Sequence, residues 1–311
     1  MSPDLIDIFL VWDYWGCLLL GYPLNIILII LIIFKTPKEM ETHSRILIQN
    51  CVLDIFLLTL QMLVQVFGIT DNKENGIFIL NDGILIYFMK EKFDPLFLYY
   101  MWIIWQFIYN LSTSGLCVQF IYRYLVLNRN MKINFRRYLY MFSIALLINI
   151  IYGLDNIFFI MPYFSGGVNQ IAEFNKTLPF VQIKMDNMSI LAGIPLVFIE
   201  IIPYFIIIIC GSKMVKYVNL HTGFDQNMKR LLKQLTETLI ILAVVPFVKH
   251  ATILILLVFS STYTSNNAAN IIRLIIFVWF HFTPVFNPIV CILTNKPYRN
   301  AVFKSIRIFP Q

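Results

Sequence analysis

Seven long apolar runs divide this chain, and they constrain its fold more than any other feature. The runs cover residues 8–34, 45–69, 95–127, 138–164, 189–211, 236–260 and 269–293. A helix needs about 20 apolar residues to cross the hydrocarbon core of a bilayer, and each run reaches that length. Because 59% of the residues are hydrophobic and only 13% are charged, the composition excludes an ordinary soluble domain. The sequence therefore predicts an all-α membrane protein, with residues 1–311 forming one bundle of seven transmembrane helices.

The distribution of basic residues predicts how the helices are oriented. Loops on one side of the predicted bundle hold 17 of the 24 Lys and Arg residues, and loops on the other side hold five. Cytoplasmic loops of membrane proteins carry an excess of these residues. We therefore expect an N-terminus outside the cell and a C-terminus inside. The basic residues lie between apolar runs rather than within a polar domain, so we expect membrane lipid as a partner and no nucleic acid.

Two further segments need an interpretation. Residues 76–89 are apolar enough to suggest an eighth span, but their two halves are too short for one. Asn81, Asp82 and Gly83 separate the halves and predict a hairpin turn in an outer loop. After the seventh run, Pro297 ends the helix, and the mixture of apolar and basic residues that follows predicts a short amphipathic helix at the membrane interface.

Polar side chains inside the apolar runs are the first candidates for function, because they are costly in a bilayer. Asn25, Asp54, Ser112 and Asn287, with the adjacent Pro288, fall at compatible depths in four different runs. We predict that they form one polar layer across the bundle. The layer could hold water or a cation and switch between two packings, or it could only join the helices through hydrogen bonds.

A ligand cavity is predicted in the outer half of the bundle. Its candidate residues are polar and aromatic side chains of the third, fifth, sixth and seventh runs: Trp102, Gln106, Tyr109, Glu200, Lys249, His250 and Trp279. Glu200 and Lys249 lie at similar depths, and we hypothesise an ion pair between them, although a Lys can instead extend its ammonium group to the interface. The aromatic residues could also be interfacial anchors.

Short motifs indicate little chemistry beyond this. The four histidines are scattered over both sides, and there is no HExxH, no CxxC and no glycine-rich phosphate loop. We therefore expect no enzymatic activity, no metal and no cofactor. Asn175 and Asn187 begin Asn-x-Ser/Thr patterns on the predicted outer side, and both are candidate glycosylation sites.

Seven predicted helices and an arginine at the inner end of the third resemble the G-protein-coupled receptors. Tyr122-Arg123-Tyr124 stands where rhodopsin-like receptors have an acidic-Arg-Tyr motif, and Asn287-Pro288-Ile289-Val290-Cys291 stands where they have Asn-Pro-x-x-Tyr. No acid precedes Arg123, and Cys291 takes the place of the tyrosine. We therefore do not expect an ordinary rhodopsin-like receptor.

Four longer segments resemble the nematode serpentine chemoreceptors of the Str-type superfamily. They are FKTPKEMETHSRILIQNCVLD, FIYRYLVLNRN, MKRLLKQLTETLIILAVVP and NKPYRNAV, and in this order they span nearly the whole chain. Class D, the Srd-like receptors, is the nearest class, and class H, the Srh-like receptors, is the alternative.

This resemblance implies a chemosensory receptor in the plasma membrane of a sensory neuron or cilium. Such a receptor binds a small odorant or pheromone and activates a heterotrimeric G protein. The residues implied to face the G protein are Tyr122, Arg123, Tyr124, Arg129, Arg136 and Arg137. A bend of the sixth helix at Pro246 is the candidate movement. The alternative function is a membrane transporter or ligand-gated channel, which would also need intramembrane charges, although the internal repeats common in transporters are not found.

Overall fold

Long helices make up most of the described chain. The structure is a computed structural model that describes residues 3–36, 41–71, 75–89, 94–129, 131–171, 176–184, 186–220, 236–244, 246–248, 251 and 266–307. In chain order the helices are α1 (Pro3–Lys35), α2 (Glu41–Leu63), α3 (Ile84–Met89), α4 (Pro95–Asn128), α5 (Phe135–Asp155), α6 (Asn187–Leu220), α7 (Thr236–Val248, except position 245), α8 (Asn266–His281), α9 (Thr283–Thr294) and α10 (Lys296–Arg307).

Several of these helices are long and apolar enough to cross a membrane. Within the described residues α1, α2, α6 and the segment Phe135–Tyr163, which continues α5, meet that description, and α8 with α9 makes a fifth crossing. Helix α4 has 34 residues, many of them aromatic, and at about 1.5 Å per residue it is also long enough to cross. Helix α7 is a shorter apolar helix.

A four-stranded antiparallel sheet covers one end of the bundle. Its strands are β1 (Gln65–Thr70), β2 (Gly76–Asp82), β3 (Phe164–Ile171) and β4 (Lys176–Ile183), and they lie in the order β1-β2-β4-β3. We call this the sheet end of the bundle and the opposite one the α10 end. Because β2 pairs with both β1 and β4, the loop after α2 is joined to the loop between α5 and α6.

The sheet corrects two sequence predictions. The second apolar run was predicted to be helical to residue 69, but α2 ends at Leu63 and β1 begins at Gln65. Nearly every residue of β1 is buried, and a short buried strand is built largely from apolar residues. Hydropathy therefore does not show where α2 ends and β1 begins. The hairpin turn predicted at residues 81–83 is also wrong, because β2 ends at Asp82 and a short helix follows. The connection that closes the β1–β2 hairpin runs from Asp71 to Asn75, whose side chains and backbones hydrogen-bond to each other.

Prolines and caps determine where several helices begin. Asp94 caps α4 by accepting a hydrogen bond from the backbone nitrogen of Leu96 (3.0 Å), and Pro95 occupies the first turn, where its missing N–H costs nothing. Pro297 lies in the first turn of α10 rather than ending the seventh span, since α9 already ends at Thr294. The predicted short helix after the seventh span is therefore present.

Two apolar clusters fill the bundle. The first lies beneath the sheet and packs Phe67 and Ile79 of the strands against Trp102 of α4 and Phe277 of α8. The second lies toward the α10 end, where residues of α1, α2, α4, α6, α7, α9 and α10 meet around the fully buried ring of Phe120. The polar side chains of the site lie between and beside these clusters.

Gly83 is the glycine whose conformation the fold most clearly requires. Its φ angle is +130°, and a Cβ atom there would lie 2.3 Å from the backbone oxygen of Leu63. We expect Gly83→Ala to lower the free energy of unfolding by about 1–3 kcal/mol. The control is Gly193→Ala in α6, where a Cβ would meet nothing within 4 Å. Thermal unfolding of the purified variants measures the difference, and equal melting temperatures would contradict the expectation.

Candidate functional site

Asp54 and Asn287 form the centre of a buried polar layer. The amide nitrogen Nδ2 of Asn287 donates to both carboxylate oxygens of Asp54, at 2.9 and 3.1 Å, and so joins α2 to α9. Asp54 is only 2% exposed. A buried carboxylate is costly unless it is hydrogen-bonded, so this contact stabilises one particular packing of α9 against α2.

Asn25 joins α1 to α9, and the sequence explains why. Pro288 has no N–H, so the carbonyl of Pro284, four residues earlier, lacks its usual helical partner. The side-chain nitrogen Nδ2 of Asn25 donates to that carbonyl at 2.8 Å and to the carbonyl of Gly21 at 2.9 Å. The three predicted residues Asn25, Asp54 and Asn287 therefore meet on α9.

Ser112 lies close to this layer without an observed bond to Asp54. It lines a cavity of about 30 Å³ together with Tyr109, Thr283 and Asn287. Polar atoms line part of this cavity, and its size is sufficient for a water molecule.

A second buried network lies nearer the sheet end, and its key residue was missed by the sequence analysis. Asp13 of α1 and His281 of α8 are hydrogen-bonded, with 2.6 Å between Oδ2 and Nδ1. Gln65 of β1 donates to the same carboxylate oxygen at 2.7 Å, and the other ring nitrogen of His281 lies 3.1 Å from the carbonyl of Val66. An acidic residue inside the first apolar run was the signal that could have identified this network.

Helix α8 also closes the free edge of β1. Asn270 accepts from the backbone nitrogen of Thr70 and donates to its carbonyl, both at 3.1 Å, as a neighbouring strand would. Arg273 donates to the hydroxyl of Thr70 at 2.6 Å. An uncovered edge strand is prone to pair with other chains, so these contacts protect β1 and fix it to the seventh span.

The seventh span therefore has two halves with different attachments. Helices α8 and α9 are bent by 49° where they meet. Pro284 lies just after the bend and cannot continue the hydrogen bonding of α8. Helix α8 is attached to the sheet and to Asp13, whereas α9 is attached to Asn25 and Asp54. The seventh span therefore connects the sheet end directly to the polar layer.

Glu200 is the centre of a third polar cluster, between α4, α5 and α6. Its carboxylate oxygen Oε1 accepts from the side-chain nitrogen of Gln106 at 2.9 Å and from the hydroxyl of Tyr152 at 3.1 Å. Tyr152 was not predicted as a site residue. Lys249 and His250 lie outside the described residues, and with them the hypothesised ion pair of Glu200 with Lys249.

Comparisons with known proteins decide which family this architecture represents. The model of the family described as serpentine type 7TM GPCR chemoreceptor Srd matches residues 10–304. The chain belongs to the Srd family. The class D resemblance predicted from the motifs is therefore confirmed, and the protein is a membrane receptor of the G-protein-coupled class.

A solved structure supports the fold of this Srd receptor independently. The crystal structure of squid rhodopsin superimposes with a TM-score of 0.62 and 14% sequence identity, covering 99% of this chain and 87% of that one. At this identity the similarity shows the fold alone, a bundle of seven transmembrane helices, as the apolar runs predicted. No curated protein sequence matches the chain.

The predicted cavity residues of the Srd receptor that the structure describes have different surroundings. Trp102 is buried in the core beneath the sheet, where its ring packs against Phe78 with 4.9 Å between centroids. Trp279 is 49% exposed and packs against Phe286, and its place in a ligand cavity stays a prediction. The hydropathy of the sequence indicates how deep a helical residue lies in the bundle, but it does not determine the direction in which the side chain points. Tyr109 is buried and lines the small cavity beside Ser112.

The α10 end of the Srd receptor carries the basic residues implied to meet a G protein. Arg123 is 6% exposed and lies within the bundle, whereas Arg129, Arg136 and Arg137 are exposed. An arginine that only anchors the end of a helix at the membrane interface extends its guanidinium group to water. The burial of Arg123 therefore argues against a simple anchor role. The neighbouring rings pack sideways, Tyr122 against Tyr138 with 5.6 Å between centroids, and Tyr124 with its centroid 5.7 Å from the ammonium of Lys213.

Proposed function

We propose that this Srd receptor binds a small odorant or pheromone in the half of the bundle nearer the sheet and activates a heterotrimeric G protein at the α10 end. The observation that carries the proposal is the divided seventh span. Its α8 half is bound to the sheet and Asp13, and its α9 half is bound to Asn25 and Asp54. A ligand that favours one position of α8 would change the packing of the polar layer.

The proposed orientation has the sheet outside the cell. The loops predicted to be cytoplasmic hold 17 of the 24 Lys and Arg residues, an excess typical of that side, and described members of this set such as Arg129, Arg137 and Arg299 lie at the α10 end. Asn187 is exposed at the beginning of α6, at the sheet end, which makes it an accessible glycosylation candidate. Asn175 remains a second candidate outside the described residues. The proposed location is the plasma membrane of a sensory neuron or cilium.

The Glu200 cluster is the proposed centre of ligand recognition. Glu200 is half-buried, and Gln106 and Tyr152 orient its carboxylate from two neighbouring helices. A carboxylate held in this way prefers a ligand that presents a hydrogen-bond donor or a positive charge. Tyr109 lies one turn from Gln106 on α4, and Lys249 and His250 remain proposed cavity residues.

Helix α7 is the proposed moving element. The hydroxyl of Tyr204 in α6 donates to the carbonyl of Pro246 at 3.3 Å, and its ring packs against Phe247. A proline in a helix removes one backbone hydrogen bond and permits a bend there. Movement of α7 away from α6 would open the α10 end, where Arg123 lies beneath the exposed Arg129, Arg136 and Arg137.

Expression of the full chain with a panel of heterotrimeric G proteins tests the function. Second messengers are followed while volatile compounds and ascaroside-like compounds are applied. We expect a response that requires both the receptor and one class of G protein. A ligand-gated current that persists without any G protein would overturn the proposal and favour the channel alternative.

Glu200→Gln is expected to weaken the response to the active ligand by at least about tenfold, without changing the surface level. The amide can still accept from Gln106 and Tyr152, but it loses the charge-assisted bond to the ligand, which contributes about 1.5–3 kcal/mol. Asp94→Asn at the beginning of α4 is the matched control, since Asn is an equally good helix cap. Concentration–response curves measure the effect. Equal curves for both variants would exclude Glu200 from ligand binding.

A further inference from the structure

A groove of about 580 Å³ opens on the side of the bundle between α6 and α7. Phe120 of α4 forms its floor, Ile208 and Val215 line the α6 wall, and Val244 and Phe247 line the α7 wall. The four wall residues are exposed. In a bilayer, side chains exposed on the flanks of membrane-spanning helices face acyl chains rather than water.

A glycine forms part of the inner side of the groove. Gly211 lies on the α6 side, and a Cβ atom there would approach the ring of Phe120 to 3.3 Å. Because Gly211 and Phe120 are both buried, the glycine allows the α6 backbone to pack closely on the ring, and the groove lies outside this contact, between the two walls. The volume falls within the range of about 300–1,000 Å³ that is usual for sites that bind small molecules.

The groove has a charged end. Among the described residues that line it, Lys216 is the only charged one, and it lies toward the α10 end on the exposed face of α6. Lys213 is one helical turn away but is directed toward the ring of Tyr124. An apolar channel with a single cation at the interface end matches a molecule with one long apolar chain and an anionic head.

We propose that this groove binds one acyl chain of an anionic phospholipid from the leaflet at the α10 end, with the phosphate of its headgroup beside Lys216. The apolar walls receive the chain and the ammonium group of Lys216 selects the anionic head. The bound chain lies along the contact of Tyr204 with Pro246 and Phe247 and holds α6 and α7 at a fixed separation. The lipid site does not depend on the proposed signalling function, whereas its influence on α7 movement does.

Lipid binding to the purified full chain tests the proposal. The receptor in detergent is titrated with phosphatidylserine and with phosphatidylcholine of the same chains, and native mass spectrometry counts the bound lipids. We expect one phosphatidylserine to be retained more strongly than phosphatidylcholine. No preference between the two lipids would overturn the role of Lys216.

Two tryptophan substitutions on α6 distinguish lipid binding in the groove from lipid binding elsewhere on the exposed surface of the bundle. Ile208→Trp fills the groove, whereas Ile209→Trp adds the same ring at a similarly exposed position that does not line it. We expect Ile208→Trp to weaken retention of phosphatidylserine by about tenfold, since each methylene displaced from an apolar contact contributes substantially to lipid affinity. Ile209→Trp should bind as wild type. Val244→Trp, from the opposite wall, should repeat the loss if Ile208→Trp does not fold.

Removal of the charge supplies the second test. Lys216→Gln should reduce the preference for phosphatidylserine over phosphatidylcholine by about fivefold, because one basic residue near a bilayer contributes about that much to anionic lipid binding. Lys184→Gln at the sheet end is the matched control and should leave the preference unchanged. Equal losses in Lys216→Gln and Lys184→Gln, or in Ile208→Trp and Ile209→Trp, would show that the groove is not the site. These measurements require no ligand or G protein, so their failure is distinguishable from failure of the receptor proposal.

Discussion

Asp13→Ala is expected to lower the free energy of unfolding of the receptor by about 2–6 kcal/mol, because it leaves two buried polar groups without an acceptor, at a cost of about 1–3 kcal/mol each. Asp13 is 2% exposed, and its Oδ2 atom lies 2.6 Å from Nδ1 of His281 and 2.7 Å from Nε2 of Gln65. The substitution leaves both of these groups buried without their acceptor. The loss should loosen α1, α8 and β1 together, because each contributes one member of the network.

Asp7→Ala is the matched control for this prediction. Asp7 lies on the same helix and pairs with Lys176 of β4 at 2.9 Å, but the side chains are 26% and 49% exposed. Such a pair contributes about 0–1 kcal/mol. Thermal unfolding of both purified variants in one detergent measures the contrast. If Asp7→Ala and Asp13→Ala lower the melting temperature equally, the buried network has no special role in stability.

Much of the helical architecture could be predicted from the sequence, because the bilayer imposes a length and a polarity on every crossing segment. The polar layer could also be anticipated. Asn25, Asp54 and Asn287 are rare residue types for their depth, and helices of a bundle that carry polar groups at one depth bring them together. The structure adds the reason for one contact, since Pro288 frees the carbonyl that Asn25 binds.

The sheet could not be predicted by the same reasoning. Its strand β1 is buried among α8, β2 and the core, so residues 66–69 at its centre show no alternation of apolar and polar side chains and continue the second hydrophobic run. The pairing of β2 with β4 joins segments about 100 residues apart, and no local pattern encodes such a contact. The exposure of Trp279 could not be predicted for a different reason, because the depth of a residue is set by its position along the helix but its direction is set by packing.

Asn287→Asp is expected to have the second large effect. It places a second carboxyl group about 3 Å from Asp54 in a buried site, where two ionised carboxylates would repel by about 4 kcal/mol or more at an effective dielectric constant near 20. Protonation of one of them removes the repulsion, but a carboxylic acid donates one hydrogen bond where the Asn287 amide donates two, so the layer is still weakened. We expect a receptor with a much lower melting temperature and a reduced surface level, measured by thermal unfolding and surface labelling.

The exchanged pair Asp54→Asn with Asn287→Asp should recover most of that loss, because it restores one carboxylate and one amide in contact with their positions reversed. A double variant as unstable as Asn287→Asp alone would show that the Asp54–Asn287 contact is not what stabilises the layer.

Asp54→Asn alone decides between the two roles of the layer. It keeps a polar side chain of the same size, removes the charge and leaves one oxygen to accept from Asn287 in place of two, so a layer that merely joins helices should largely tolerate it. Altered G-protein signalling at an unchanged surface level would instead identify the layer as a switch, because the two packings then differ in how they stabilise the buried charge.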